Sequence, residues 1–250
     1  QRVRSGAMTV GFVGYTNAGK SSLFQRLSGK SVLVEDQLFS TLETTVGRME
    51  KSPRILLADT IGFIDNIPNA TLTAFKATIA EAIDADLTLV LLDTSDPLDE
   101  IRRKLETTRR EVLERQEPEP DLLEDTNHPF VILTKIDKVS AEQREAVAAL
   151  VRSEGFPEPV VVSSHTGEGV ETLQLFIREQ LFGAPVSVRV SPPTASSDDA
   201  SERIVSEVYD RGMVDDDRRE PDGTMMLEVW LTQACQAQLK ARWVDRIDIK

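Results

Sequence analysis

The sequence predicts an α/β fold: a doubly wound domain with a mostly parallel sheet, followed by a small C-terminal α/β module. Three observations predict it. Over residues 1–182, short apolar runs alternate with helix-period stretches. Runs such as Leu87–Leu92 (LTLVLL) are apolar on both faces, as strands covered by helices on both sides must be. The glycine-bearing segment Gly14–Ser21 joins an apolar run to a helical pattern.

Taken in order, the strand candidates are Thr9–Gly14, Thr45–Lys51, Arg54–Ala58, Leu87–Leu92, Phe130–Leu133 and Val160–Val162. Helix-period stretches fill the gaps at Lys20–Ser28, Thr71–Ile83, Leu98–Arg115, Ala141–Ser153 and Gly167–Leu181. Gln116–Asn127 is acidic and proline-broken and reads as a loop. Composition changes at Gly183-Ala184-Pro185, so the expected division is a linker stub over 1–8, a main domain over 9–183 and a small domain over 184–250. In the small domain a helix is expected over Ser201–Arg211 with Gly212 as its C-cap, a charged turn over Asp215–Gly223, a strand over Thr224–Leu231 and a helix over Thr232–Trp243.

Composition narrows the function classes. The chain of 250 residues is 40% hydrophobic and 28% charged, an ordinary globular balance. No stretch approaches the roughly 18 apolar residues of a membrane span. One cysteine, Cys235, excludes an internal disulfide framework and leaves a reducing compartment as the default. The start, QRVRSGAM, lacks the apolar run of a secretory leader and an initiator methionine, as a piece of a longer chain would. A net charge of −13 argues against a self-sufficient DNA or RNA binder.

The chemistry starts at Gly14–Ser21 (GYTNAGKS), which satisfies G-x-x-x-x-G-K-[ST]. Its glycines let backbone N–H groups wrap a phosphate, and the following helix adds its positive end. Asn17, Ala18, Gly19, Lys20, Ser21 and Ser22 are the expected phosphate contacts. Lys20 neutralises the β/γ-phosphates and Ser21 offers its hydroxyl to Mg²⁺. The bland alternative is a glycine turn with an exposed lysine. The run Ile55–Gly62 ends in D-x-x-G, where Asp59 can hold Mg²⁺ through its water shell and Gly62 can bring its N–H to the γ-phosphate. Thr134-Lys135-Ile136-Asp137 follows the Phe130–Leu133 run. Asp137 can accept from the ring N–H and exocyclic amine of guanine, and a buried Asp left unpaired rejects adenine. Lys135 can lay its stem along the base and the phosphate loop. Ser163, Ser164 and His165 fit a loop that reads the guanine oxygen.

These four pieces in this order resemble the P-loop GTPases. GYTNAGKSS, QLFSTLETT and DTIGFIDNIP, with the segment TLTAFKATIAEAIDADLTLVLLD, narrow the resemblance to the HflX-type GTPases. It covers nearly the whole chain and is strongest over Gly11–Asp93. It implies a cytoplasmic GTP hydrolase that binds the large ribosomal subunit and splits or rescues stalled ribosomes. It also implies Mg²⁺ and GTP or GDP at the site, and an N-terminal domain preceding this chain that carries much of the ribosome contact.

Departures from the family pattern matter too. Thr134 stands where the base-reading motif has Asn, so nucleotide affinity is expected to fall while Asp137 keeps selectivity. The first switch reads Leu42-Glu43-Thr44-Thr45 without the usual Pro, so its Mg²⁺ threonine is Thr41 by alignment, with Thr44 and Thr45 as alternatives. Phe63 follows D-x-x-G where many GTPases place a water-orienting Gln, so slow intrinsic hydrolysis is expected, with a partner completing the site. Asn17 has two readings: a turn residue bonding its own backbone, or a K⁺ ligand doing the work of an arginine finger. Thr41 and Gly62 would be held by γ-phosphate and Mg²⁺ and released on hydrolysis. Phe39, Phe63, Ile64 and Ile67 either pack those loops down or form a partner surface. Trp230 reads as core, Trp243 as a cap and Cys235 as an inert helix thiol. A nucleotide-gated binding module with negligible hydrolysis, recruiting a protein or membrane partner, is the alternative from a different class.

Overall fold

The computed structural model describes residues 8–29, 45–49, 55–59, 85–113, 129–193 and 199–250. The chain forms two compact units, Gln1–Leu175 and Phe176–Lys250. Among the described residues the first holds β1 (Met8–Gly14), α1 (Lys20–Ser28), β2 (Thr45–Arg48), β3 (Ile55–Asp59), β4 (Leu87–Asp93), α2 (Leu98–Leu113), β5 (Phe130–Thr134), a 3₁₀ turn (Ile136–Lys138), α3 (Ala141–Ser153) and β6 (Val160–Val161). Helix α4 (Val170–Phe182) runs on into the second unit.

The sheet of the first unit has the order β2-β3-β1-β4-β5-β6, and only β2 runs antiparallel to its neighbour. The unbroken apolar run in β4 has the cause expected of it. Val90 and Leu92 join Ile101 and Leu105 of α2, Val131 and Leu133 of β5, and Val147 and Val151 of α3 in one core. Leu89 and Leu91, whose side chains alternate with these, are also 0% exposed. Helix α1 packs Phe24 edge-on against Phe12 of β1, with ring centroids 6.5 Å apart. Parallel strands share one direction, so Gly14, Asp59, Asp93 and Thr134 all come out at the carboxyl edge of the sheet.

The second unit is a four-stranded antiparallel sheet, β10-β7-β9-β8. Its strands are β7 (Val186–Val190), β8 (Met213–Arg219), β9 (Met225–Trp230) and β10 (Ile247–Ile249), with helices α5 (Ala200–Arg211) and α6 (Gln233–Arg242). Val188, Val190, Leu227 and Val229 meet Ile204, Val208 and Leu239 in its core. Trp230 is buried and its indole N–H donates to Asp215 at 2.6 Å; that of Trp243 donates to Glu207 of α5 at 2.7 Å.

Three expectations change here. Most of the stretch expected as a charged turn is strand β8, whose exposed residues Asp215–Arg219 occupy the sheet's edge, where alternating apolar residues are not needed. Gly212 is the C-cap of α5 as expected, its N–H donating to the Val208 carbonyl, but in an extended conformation, φ −124°, rather than the left-handed one. Glycine is required there for space: a Cβ would lie 2.5 Å from Cγ1 of Val229. Helix α4 starts at Val170 rather than Gly167, since the preceding residues form a turn. The expected helix at Thr71–Ile83 and the expected loop at Gln116–Asn127 lie outside the described residues.

Candidate nucleotide-binding site

The loop after β1 is shaped by backbone that most side chains cannot adopt. Gly14 has φ 153°, and a Cβ on it would lie 2.5 Å from the carbonyl oxygen of Leu91 on β4, so the loop leaves the sheet in close contact with the next strand. Asn17 (φ 65°) and Gly19 (φ 86°) are both left-handed. This succession turns the chain back on itself, and Ala18 N–H donates to the carbonyl of Tyr15 at 3.2 Å. Helix α1 then begins at Lys20 with no side-chain cap. The Lys20 ammonium is buried within the loop, donating to the carbonyls of Gly14 at 3.1 Å and Tyr15 at 2.8 Å. Arg103 and Lys104 of α2 both lie 5.3 Å from the centre of the Tyr15 ring.

Thr134, at the end of β5, reaches this loop directly. It is 1% exposed, and its hydroxyl oxygen lies 2.8 Å from the carbonyl oxygen of Ala18 and 3.0 Å from that of Leu92. One hydroxyl proton is shared between the two acceptors. The Thr134 side chain, short as it is, thus ties the end of β5 to the loop.

Asp137 lies in the 3₁₀ turn that follows. It is exposed, unlike the buried Asp that the sequence argument assumed, and one carboxylate oxygen accepts from the Ser163 hydroxyl at 2.5 Å. That bond, with smaller help from the charges of His165 and Lys138, holds its carboxyl below the usual range. Ser163 is buried and also accepts from the N–H of Thr166 at 3.1 Å. Ser164 is half-buried and His165 exposed in the same turn.

Lys135 has a left-handed backbone, φ 57°, and its ammonium lies 2.6 Å from Oδ2 of Asp93 at the end of β4. The other oxygen of Asp93 accepts from the Ser95 hydroxyl at 2.6 Å and the Ser95 N–H at 3.0 Å. Burial pushes this carboxyl up, but the bonds from Lys135 and Ser95 outweigh it and leave the pKa lowered. Sequence reasoning missed Asp93, although D-x-S after a strand is a recognisable turn pattern. It also missed Arg144, whose guanidinium donates to the Ile136 carbonyl at 3.1 and 2.7 Å and to Glu168 at 2.7 Å, tying together the loops that carry Asp137 and Ser163.

On the other side of β1, Asp59 sits opposite Phe12 in the ladder, on the strand beside the one that leads to α1 and Ser21, and pairs with Thr45 of β2. Thr41, Thr44, Gly62 and Phe63 lie outside the described residues, as do Phe39, Ile64 and Ile67.

A glycine loop at the carboxyl edge of a mostly parallel sheet, leading into a helix and braced by Thr134 at the end of β5, places the fold in the P-loop GTPase class. Solved structures share the fold. A GTP-binding protein from Sulfolobus solfataricus in complex with GDP superposes with a TM-score of 0.54 at 24% identity, over 70% of this chain and 52% of that one. A probable GTP-binding protein, engB, does so with a TM-score of 0.50 at 19% identity, over 69% of this chain and 98% of that one.

Within that class the family is specific. Residues 9–135 match the family model of the 50S ribosome-binding GTPases, and residues 148–246 match that of the HflX C-terminal domain. The chain belongs to the HflX family of GTPases. GTPase HflX of Akkermansia muciniphila is 34% identical over 256 residues, covering 98% of this chain and 53% of the relative. That of Escherichia coli K12 is 32% identical over 91% of this chain and 50% of the relative. That of Gluconacetobacter diazotrophicus is 39% identical over 68% of this chain and 35% of the relative. The chain thus spans about half or less of the length of these curated relatives.

Proposed function

We propose that this chain is a guanine-nucleotide switch that binds GTP and GDP, hydrolyses GTP slowly by itself, and acts in the cytoplasm on the large ribosomal subunit. The observation that carries the nucleotide part is the contact between the Thr134 hydroxyl and the Ala18 carbonyl. It ties the base-reading strand end to the phosphate loop, so the two halves of one ligand site are held together. Family membership supplies the ribosomal part.

In this reading the backbone N–H groups of Asn17 through Ser22 take the phosphates, and Lys20 stands against the β/γ oxygens. Asp137 accepts from the guanine edge with the carboxylate that Ser163 holds ionised, and the Ser163–His165 turn meets the guanine oxygen. The donor set suits Mg²⁺, a hard cation that takes oxygen ligands: the Ser21 hydroxyl, Thr41 and Asp59, the last on the strand directly beside β1. When bound, Mg²⁺ neutralises charge on the phosphate oxygens. Gly62 and Thr41 respond to the γ-phosphate and relax when it leaves, which is the switch. We place the nucleotide unit over 9–183 and the small domain over 184–250, dividing at the end of α4 rather than within it, where the compact units divide.

Phe63 favours a second reading, a nucleotide-gated module that hardly hydrolyses and works by recruitment, because phenylalanine can neither orient water nor stabilise charge. One experiment separates them: GTP turnover by this chain in K⁺ and in Na⁺, with and without large ribosomal subunits. Stimulation by subunits supports the first reading. Tight binding of GTP with no turnover under any condition supports the second. Equal rates in K⁺ and Na⁺ remove the K⁺ role of Asn17. Competition of labelled GDP by GDP and not by ADP tests Asp137 directly.

A further inference from the structure

We infer that Asp93 is a positioning residue for the guanine pocket: its pairing with Lys135 holds the lysine stem as one wall of the base slot before the nucleotide arrives. The inference rests on the reading of Thr134–Asp137 as the base-binding segment.

The geometry supports it in three ways. Asp93 is the last residue of β4 and lies opposite Thr134 in the parallel ladder, so it sits next to the base-reading segment but outside its sequence motif. Its side chain is 13% exposed, and its two oxygens are used separately, one by Ser95 and one by Lys135. The carboxylate is therefore fixed before it meets the lysine. Lys135 itself has a left-handed backbone, a conformation costly for a non-glycine residue that persists only where its surroundings enforce it.

The pairing changes what Lys135 can offer. An ammonium held by a fixed carboxylate is a poor partner for a phosphate or ribose oxygen, because its charge is already met. What remains is the aliphatic stem, an apolar surface suited to the flat face of a base. A free lysine loses rotamer freedom when a ligand packs against it. A lysine already ordered does not, and the difference is worth about two- to tenfold in affinity. This gain acts on the face of the base and is blind to the groups on its edge.

The test uses Asp93→Asn, which keeps the shape and an acceptor for Ser95 while removing the charge that holds Lys135. Release of fluorescently labelled GDP is measured for the wild type, D93N, K135M and the double variant, alongside thermal unfolding and the ratio of GDP to IDP affinity. We expect D93N to release GDP about two- to tenfold faster, to have no further effect in the K135M background, and to leave the GDP/IDP ratio unchanged. GDP release by D93N within twofold of the wild type, or slower, overturns the inference. So does an equal effect of D93N with and without Lys135, which would mark Asp93 as a general support of the fold. A changed GDP/IDP ratio overturns it as well, placing Asp93 on the base edge. A wild type that does not bind GDP defeats the nucleotide reading of the site and this role with it, whereas normal GDP binding by both wild type and D93N defeats only the role of Asp93.

Discussion

Replacing Thr134 by Val tests the brace between the two halves of the site with little change in volume. The wild-type hydroxyl lies 2.8 Å from the Ala18 carbonyl oxygen and 3.0 Å from that of Leu92, in a position 1% exposed. Valine removes the donor and sets a methyl group at distances too short for a carbon–oxygen contact. The loop must back away by a few tenths of an ångström, and water cannot reach in to replace the bond. Losing a buried hydrogen bond of this kind costs about 1–3 kcal/mol. For a unit of this size each kcal/mol lowers Tm by about 2–4 °C, so a fall of roughly 2–12 °C is expected. Because Ala18 belongs to the phosphate loop, GDP release should also quicken. Thr134→Ser keeps the hydroxyl and should sit near the wild type in release rate. Thermal unfolding and labelled-GDP release of the three proteins make the comparison. A valine variant that melts within 1 °C of the wild type and releases GDP at the same rate would show that the hydroxyl braces nothing.

Other perturbations follow from the same geometry. Gly14→Ala places a Cβ 2.5 Å from the Leu91 carbonyl oxygen, so β1 and β4 must part; a loss of about 2–4 kcal/mol is expected in chemical unfolding, and a neutral result would contradict the packing described. Arg144→Met cuts the bonds to Ile136 and Glu168; with the guanidinium partly solvated the stability loss should be only about 1 kcal/mol, but guanine affinity should fall several-fold because both base loops loosen together. The Asp93 carboxyl is depressed below its ordinary 3.8, so its contribution to stability is present above that pH and is lost as pH falls through the lower, folded value. The stability difference between wild type and D93N should therefore be constant above pH 4 or so and close in more acidic solution, as unfolding midpoints across a pH series would show.

Much of this site could be read in the chain because its chemistry is local. The phosphate loop needs its glycines and lysine at fixed spacing, and α1 begins at Lys20 as that spacing requires. Helix α3 was legible over its full length, Ala141–Ser153, with Ser140 capping it through the N–H of Gln143. What escaped notice depends on distance along the chain. Asp93 and Lys135 are 42 residues apart, and nothing near either announces the other. Arg144 looks like any exposed helix arginine until Ile136 and Glu168 converge on it. Thr134 was visible as a departure, but that its hydroxyl still meets Ala18, 116 residues away, was not. In the second unit, β10 is only three residues long and did not stand out, and β8 was hidden by its charges.

Those charges on β8 bear on how the protein behaves in company. An outermost strand carries a row of unused backbone donors and acceptors that invites a strand from another molecule to add on. Here an incoming strand would have to lie along Asp215, Asp216 and Asp217, three consecutive exposed acidic positions, and then accommodate Arg218 and Arg219. A copy of the same chain added in parallel sets its own three carboxylates beside these, and like charge opposes that pairing; an antiparallel copy can set Arg218 and Arg219 against the aspartates instead, so the charges of this edge choose a direction as well as a partner.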